Sequence, residues 1–233
     1  MKATIIQSNY IPWKGYFDII HDVDIFCFYD EVKYTKNDWR NRNKIYSQNG
    51  LQWLTIPIPK QAVKLKISEV EIPDNKWQEL HYKMLHSAYG RTRYYSQLNF
   101  LINEIYRQNN WQNLSELNRF IIKMISDYLG IKTKFVNSSE LNLRGDRVDR
   151  LINILKDLGA DEYLSGPAAK DYLRGNEHLF EENNIVLEYK DYSGYKPYKQ
   201  LTEPFEHCVS IFDMIANIER NEINTHIWGY KNG

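Results

Sequence analysis

Residues 33–44, KYTKNDWRNRNK, hold five cations (Lys33, Lys36, Arg40, Arg42, Lys44) against one anion, Asp38. That local excess stands out in a chain of 233 residues whose 30 Lys and Arg balance 30 Asp and Glu. A guanidinium grips phosphate bidentately, and a neighbouring aromatic ring offers a face to a base or sugar. Arg42 and Asn41 therefore read as phosphate ligands, and Tyr34 and Trp39 as ring contacts, for a nucleotide diphosphate. The plain alternative is a solvated basic loop. Among the histidines His81 is the best candidate for a general base, since neutral imidazole takes a proton near pH 7. Lys83 follows two residues later on the same expected helix, and residues i and i+2 do not share a face. The alternative for His81 is an isolated structural histidine. No His or Cys pair has metal-ligand spacing: His81 and His86 are five apart, and Cys27 and Cys208 form no CxxC. There is no GxGxxG, no GxxxxGK[ST] and no G-x-S-x-G elbow, so dinucleotide, P-loop and serine-hydrolase readings lack support.

The elements that must position these residues follow from periodicity. Residues 3–6 and 23–29 are β-prone and flank a short helix over 13–21, with Phe17 and Ile20 on one face. Residues 30–50 read as a long polar stretch, and 51–58 and 65–72 as strands ended by Pro57, Pro59 and Pro73. Helices are expected over 74–87, 94–108 and 114–129, the last closed by Gly130. The opening rhythm then returns. Strands are expected at 131–136, 161–165 and 185–189, a helix at 146–158 ending on Gly159, short helices within 170–183, and a last helix capped by Ser210. Strands alternating with helices at both ends give an α/β fold with a mostly parallel sheet over 1–50 and 130–233. Residues 51–129 form an inserted, largely helical lobe. Ligands of open α/β sheets bind beyond the carboxyl ends of the strands. Position alone thus nominates the loops 7–15, 30–44 and 165–169, with Ser138 and Ser139.

Length and composition bound the rest. A chain of this size buries a core without disulfides or metal. Its zero net charge argues against a dedicated nucleic-acid binder, although not against a local anion site. The longest apolar run, near residues 25–29, is far short of a membrane span, and no secretory leader precedes it. A reducing cytoplasm is the simplest home. Tyr is abundant (18, against 9 Phe), which suits either a polar cleft or half-exposed surfaces.

Trp13-Lys14-Gly15-Tyr16 stands where nucleotidylyltransferases and class I synthetases carry His-x-Gly-His, on a similar strand-turn-helix, but both histidines are missing. A Rossmann-like sheet related to that type is the fold this similarity implies. A broader, ordered set of segments resembles the WbqC-like family. It runs Gln7…Tyr10…Pro12-Trp13-Lys14-Gly15-Tyr16-Phe17, Phe28-Tyr29-Asp30-Glu31-Val32, Trp39-Arg40-Asn41-Arg42-Asn43 and Trp53-Leu54-Thr55-Ile56-Pro57. It continues with His81-Tyr82-Lys83, Ser138-Ser139-Glu140-Leu141, Arg150-Leu151-Ile152, Tyr163-Leu164-Ser165-Gly166 and Ser210-Ile211-Phe212-Asp213. Gly90-Arg91-Thr92-Arg93 departs from the apolar, Pro-containing turn expected there.

The resemblance implies work on a nucleotide-linked amino sugar in surface polysaccharide (O-antigen) assembly, as N-acyl or N-aminoacyl (glycyl) transfer. His81 would be the base, and Ser139 and Ser165 would orient the acyl group. Gln7, Tyr10, Tyr16, Asp30, Lys83, Arg150 and Tyr198 complete the expected substrate contacts. The donor would be an aminoacyl-tRNA, an acyl carrier or other thioester, or an acyl-adenylate made from ATP and Mg²⁺. No cofactor or metal is fixed by it. The alternatives are an adenylyl- or nucleotidylyl-transferring enzyme and a non-catalytic scaffold of a polysaccharide assembly complex.

Overall fold

A computed structural model describes residues 1–228. The strands are β1 (Lys2–Ile6), β2 (Ile25–Phe28), β3 (Arg42–Ser47), β4 (Gly50–Thr55), β5 (Lys134–Asn137), β6 (Glu162–Ser165) and β7 (Val186–Tyr189). The helices are α1 (Lys14–His21), α2 (Lys76–Tyr89), α3 (Tyr95–Tyr106), α4 (Leu114–Tyr128), α5 (Arg147–Leu158), α6 (Lys170–Leu173), α7 (Glu177–Glu182), α8 (Ile211–Asn217) and α9 (Arg220–Ile223). Five strands form one sheet in the order β5-β2-β1-β6-β7, every pair parallel. From β1 the chain steps outward to β2 and β5, then returns to β6 and β7 on the other side. This is a Rossmann-like arrangement, and the order reverses between β1 and β6.

The sheet is covered on both faces, as a parallel sheet must be. Ala3, Ile5, Ile25, Cys27 and Tyr29 alternate onto one face and pack against α5 and the segment holding α6 and α7. Phe26 and Phe28 point the other way, into a core shared with Phe17 of α1 and with α2, α3, α4 and α8. Each such ring, fully buried, stabilises the fold by about 1.5–3 kcal/mol. The helix ends follow their sequences. Asp146 accepts from the amides of Val148 and Asp149, and Gly159 closes α5 in the left-handed region at φ 69°. Asn113 caps α4, and Ser210 caps α8.

Two expectations need correction. Residues 65–72 are not a strand: they hold one short 3₁₀ turn, Ile67–Glu69, and Ile67 and Val70 are buried. The polar stretch 30–50 contains a strand, β3, which pairs with β4 as an antiparallel hairpin. Its inward residues Asn43 and Ile45 are buried while Arg42 and Lys44 face outward, so its alternation is hidden under charge. The helices of 51–129 share one continuous core with the sheet.

Gly15 is needed at the start of α1 for a local reason. A Cβ there would lie 2.2 Å from the Trp13 indole, which packs edge-on against Tyr192 and Tyr195. Gly15→Ala forces that ring aside and should cost about 1–3 kcal/mol. An urea unfolding midpoint equal to wild type would contradict this packing.

Candidate functional site

The loop leaving β1 is fixed from three sides. Ser8 donates its amide to Asp30 Oδ1 at 2.8 Å, and the Tyr16 hydroxyl donates to the Gln7 carbonyl at 2.9 Å. Asn43 Nδ2 donates to the carbonyls of Tyr10 (3.2 Å) and Ile11 (2.9 Å). Ile11 lies at φ 38°, a strained region for a β-branched residue. Arg40 closes the arrangement. Its Nη2 donates to Gln7 Oε1 at 3.0 Å and its Nη1 to Asn9 Oδ1, while Asp38 lies 3.6 Å away. The Arg40 carbonyl in turn accepts from Asn118 Nδ2 at 2.8 Å. The buried Asp30 carboxylate also accepts from the Ser115 hydroxyl of α4.

Behind this row, on the α5 side, a second polar set meets the ends of β2 and β6. Ser165 is buried and its hydroxyl donates to the Tyr163 hydroxyl at 3.2 Å. Arg147 stacks on Tyr172, 3.6 Å from guanidinium carbon to ring centroid. Burial pushes the Tyr29 hydroxyl up from its ordinary value, and a hydrogen bond with Arg150 pulls it back. Burial likewise raises Tyr172, against the pull of the Arg147 charge. Arg119 reaches the end of β5, donating to Asn137 Oδ1 at 2.9 Å. Nε of Arg40 and Nε of Arg150 are both buried without a partner among the described residues. The arrangement offers guanidinium donors and aromatic hydroxyls around the place where the strand order reverses.

Of the sequence-predicted residues, the structure brings Gln7, Tyr16, Asp30, Arg150 and Ser165 to this carboxyl edge, with the exposed Ser139 just past β5. It takes others elsewhere. Tyr34 and Asn41 line a separate cavity behind the hairpin, and Trp39 and Arg42 flank Trp53 on the hairpin's outer face. Lys83 faces solvent and pairs with Glu79 at 3.2 Å. Tyr198 donates to the buried Asp213 at 2.6 Å, in a cluster where Lys14 sits over the Tyr195 ring. Burial pushes Asp213 up to about 6 and Lys14 down to about 8.

His81 is 2% exposed and enclosed by Trp77, Tyr10 and Tyr106. Its Nδ1 is 2.8 Å from the Tyr10 hydroxyl, which lies 2.5 Å from that of Tyr106. Burial pushes the imidazole down to about 4, opposed by a backbone hydrogen bond with Thr55. This imidazole knits α2 and α3 to the first loop and does not open on the strand ends.

Sequence reasoning did not nominate Arg40, Arg119, Arg147, Ser115 or Asn118 as site residues. The signal for the last two was present: polar side chains interrupt the apolar face Leu114, Leu117, Ile121, Ile122 of α4 at i and i+3. Among the described residues no group of three or more His, Cys, Asp or Glu is placed to hold a metal ion. No helix there is long and apolar enough to cross a membrane.

The WbqC-like protein family model matches residues 7–225, and the chain belongs to that family. It is 42% identical over 218 residues to the uncharacterized protein Rv1507c of Mycobacterium tuberculosis, covering 93% of this chain and 94% of that protein. No solved structure matches.

The enclosed imidazole has a thermodynamic consequence. His81 is held near 4, below its ordinary 6.5, so between those pH values the unfolded chain binds the extra proton. Its contribution to stability is complete above pH 6.5 and is lost as pH falls towards 4. Asp213, raised from 3.8 to about 6, acts oppositely in much the same window. A comparison with His81→Asn therefore isolates the imidazole. The stability advantage of wild type over His81→Asn should shrink by up to about 3 kcal/mol from pH 7 to pH 4. An advantage independent of pH would contradict the enclosed, neutral imidazole.

Proposed function

We propose that the chain is a transferase that holds a nucleotide-activated amino sugar across the carboxyl ends of β1 and β6. It would acylate or aminoacylate the sugar's amino group during surface polysaccharide assembly. One observation carries the reading. At the reversal of strand order, where open α/β sheets bind their ligands, Arg40 and Arg150 each keep a buried Nε–H without a partner among the described residues. Buried donors of this kind are costly unless a ligand satisfies them. A diphosphate supplies several charged acceptors together, and guanidinium forks match it geometrically. Tyr29 and Tyr172, with hydroxyls kept protonated by burial, serve as donors and as ring surfaces beside it.

In the transfer, the sugar nitrogen bonds the donor's carboxyl carbon and loses a proton. The donor's C–O or C–S bond breaks, and its leaving group departs with the electron pair and takes up that proton, directly or through water. Ser165 ends β6 on that edge and suits the acyl end; Ser139, just past β5, lies three strands away. His81 has no part in the transfer on this reading, because its imidazole is walled in by three rings. An acyl-adenylate made in place would require ATP and Mg²⁺; a thioester or an aminoacylated RNA would not.

Arg150 stands partly exposed in the first turn of α5, so Arg150→Ala should fold normally. It should weaken binding of a nucleotide-linked amino sugar by about 1.5–3 kcal/mol in calorimetric titration, the range for a hydrogen bond to a charged group. Equal affinity in wild type and variant would reject Arg150 as a phosphate ligand. Failure of wild type to bind nucleotide-linked sugars would reject the reading itself.

A further inference from the structure

Residues 33–66 carry eight cations against one carboxylate, Asp38, in a chain of zero net charge. Arg40 is engaged at the sheet edge, and Lys66 pairs with Glu31 at 2.9 Å. The other six, Lys33, Lys36, Arg42, Lys44, Lys60 and Lys64, have no carboxylate within 4.0 Å among the described residues. Folding gathers them. Lys33 bridges to Lys66 through the backbone, Lys36 and Lys60 line one cavity, and Arg42 and Lys44 share the outer face of the hairpin.

Two tryptophans lie among these charges, each 42% exposed. The rings of Trp39 and Trp53 stack at 5.7 Å between centroids with 29° between planes. The Arg42 guanidinium carbon is 4.3 Å from the Trp53 ring centre, and Lys44 Nζ is 5.3 Å from it. Arg42 also donates to the Asn37 carbonyl at 2.6 Å, and Asn37 forms part of the wall of the neighbouring cavity, about 240 Å³ in volume. On its wall Asn41, 6% exposed, donates to the Ile56 carbonyl at 2.8 Å, while its buried Oδ1 has no partner among the described residues. Exposed stacked rings flanked by unpaired cations form a stacking platform beside a track for a phosphate chain. The recess next to the platform is lined by Asn41.

We propose that this face docks a single-stranded RNA segment. Bases stack on Trp39 and Trp53, phosphates follow Lys36, Lys60 and Lys64, and a ribose hydroxyl enters the recess that Asn41 lines. A neutral glycan would use the rings but leave six cations unanswered. An anionic lipid surface would use the cations but not the recess. DNA lacks the 2′-hydroxyl, which is the group that distinguishes the two polymers. The inference rests on the transferase reading in one respect only: an aminoacyl group on the RNA's end would make the strand the acyl donor. RNA binding itself involves neither sugar nor transfer, so either statement can fail without the other.

The test is fluorescence anisotropy of a labelled single-stranded RNA of about 12 nucleotides with the whole chain. DNA of the same sequence and a neutral oligosaccharide serve as the other arms. The expected result is RNA binding that quenches tryptophan emission, exceeds DNA binding, and weakens steadily between about 50 and 200 mM salt. Trp53→Ala should weaken it about tenfold or more. Lys36→Ser with Lys60→Ser should lower the slope against log salt by about 1.4, two phosphate contacts. The two lysines are exposed, so this second variant keeps the proposal testable if Trp53→Ala fails to fold. Absence of RNA binding, DNA binding of equal strength, preference for the oligosaccharide, or indifference to the lysine pair would each overturn it.

Discussion

The carboxylate of Asp30 is buried at the end of β2, and much of the site's architecture follows from satisfying it. A carboxylate removed from water must be hydrogen-bonded or it destabilises the fold by several kcal/mol. Here it takes the Ser8 amide from the first loop and the Ser115 hydroxyl from α4, and its own backbone carbonyl accepts from Ser68. Three segments far apart in the chain are drawn to one strand end. Asn118, one turn along α4 from Ser115, then reaches the Arg40 carbonyl and brings the basic loop to the same edge. The position of the Arg40 guanidinium against Gln7 and Asn9 follows from that chain of contacts.

The first loop also bears strain that this network offsets. Ile11 at φ 38° costs on the order of 1–3 kcal/mol. Asn43 holds the two carbonyls on either side of the strained peptide, and the buried Tyr10 ring anchors the loop in the core. The Tyr10, His81 and Tyr106 contacts belong to that anchoring. They hold His81 in the interior, 2% exposed, through packing and hydrogen bonding.

Much of the fold is legible in the sequence because its causes are local. Asp146 and Gly159 mark both ends of α5, and the apolar run 25–28 identifies a strand buried on both faces. The strand β3 is not legible, because its outward Arg42 and Lys44 make it read as a loop. The segment 65–72 misleads in the other direction: Leu65 and Ile67, then Val70 and Ile72, each alternate like a strand, but the two pairs are out of phase across Ser68 and Glu69, where the chain turns. For the site, distance along the chain sets the limit. Gln7, Asp30 and Ser165 fall in loops nominated by their position past expected strands, whereas Arg150 comes only from the resemblance to the family. Arg40 stands beside Arg42 in sequence, and only the tertiary contact of Asn118 with its carbonyl separates their roles. His81 carries the residue type of a base, but its burial is decided by Trp77 and Tyr106, which a motif does not reveal.

The central claim is that ligand binds over the reversal of strand order, on the edge organised by Asp30. Hydrogen–deuterium exchange with and without a nucleotide-linked amino sugar measures this directly. The account predicts slowed exchange in residues 7–9, 29–31, 138–140 and 165–167, with α2 and α3 unchanged. Protection confined to the helices of 76–106, with none at the strand ends, would contradict it.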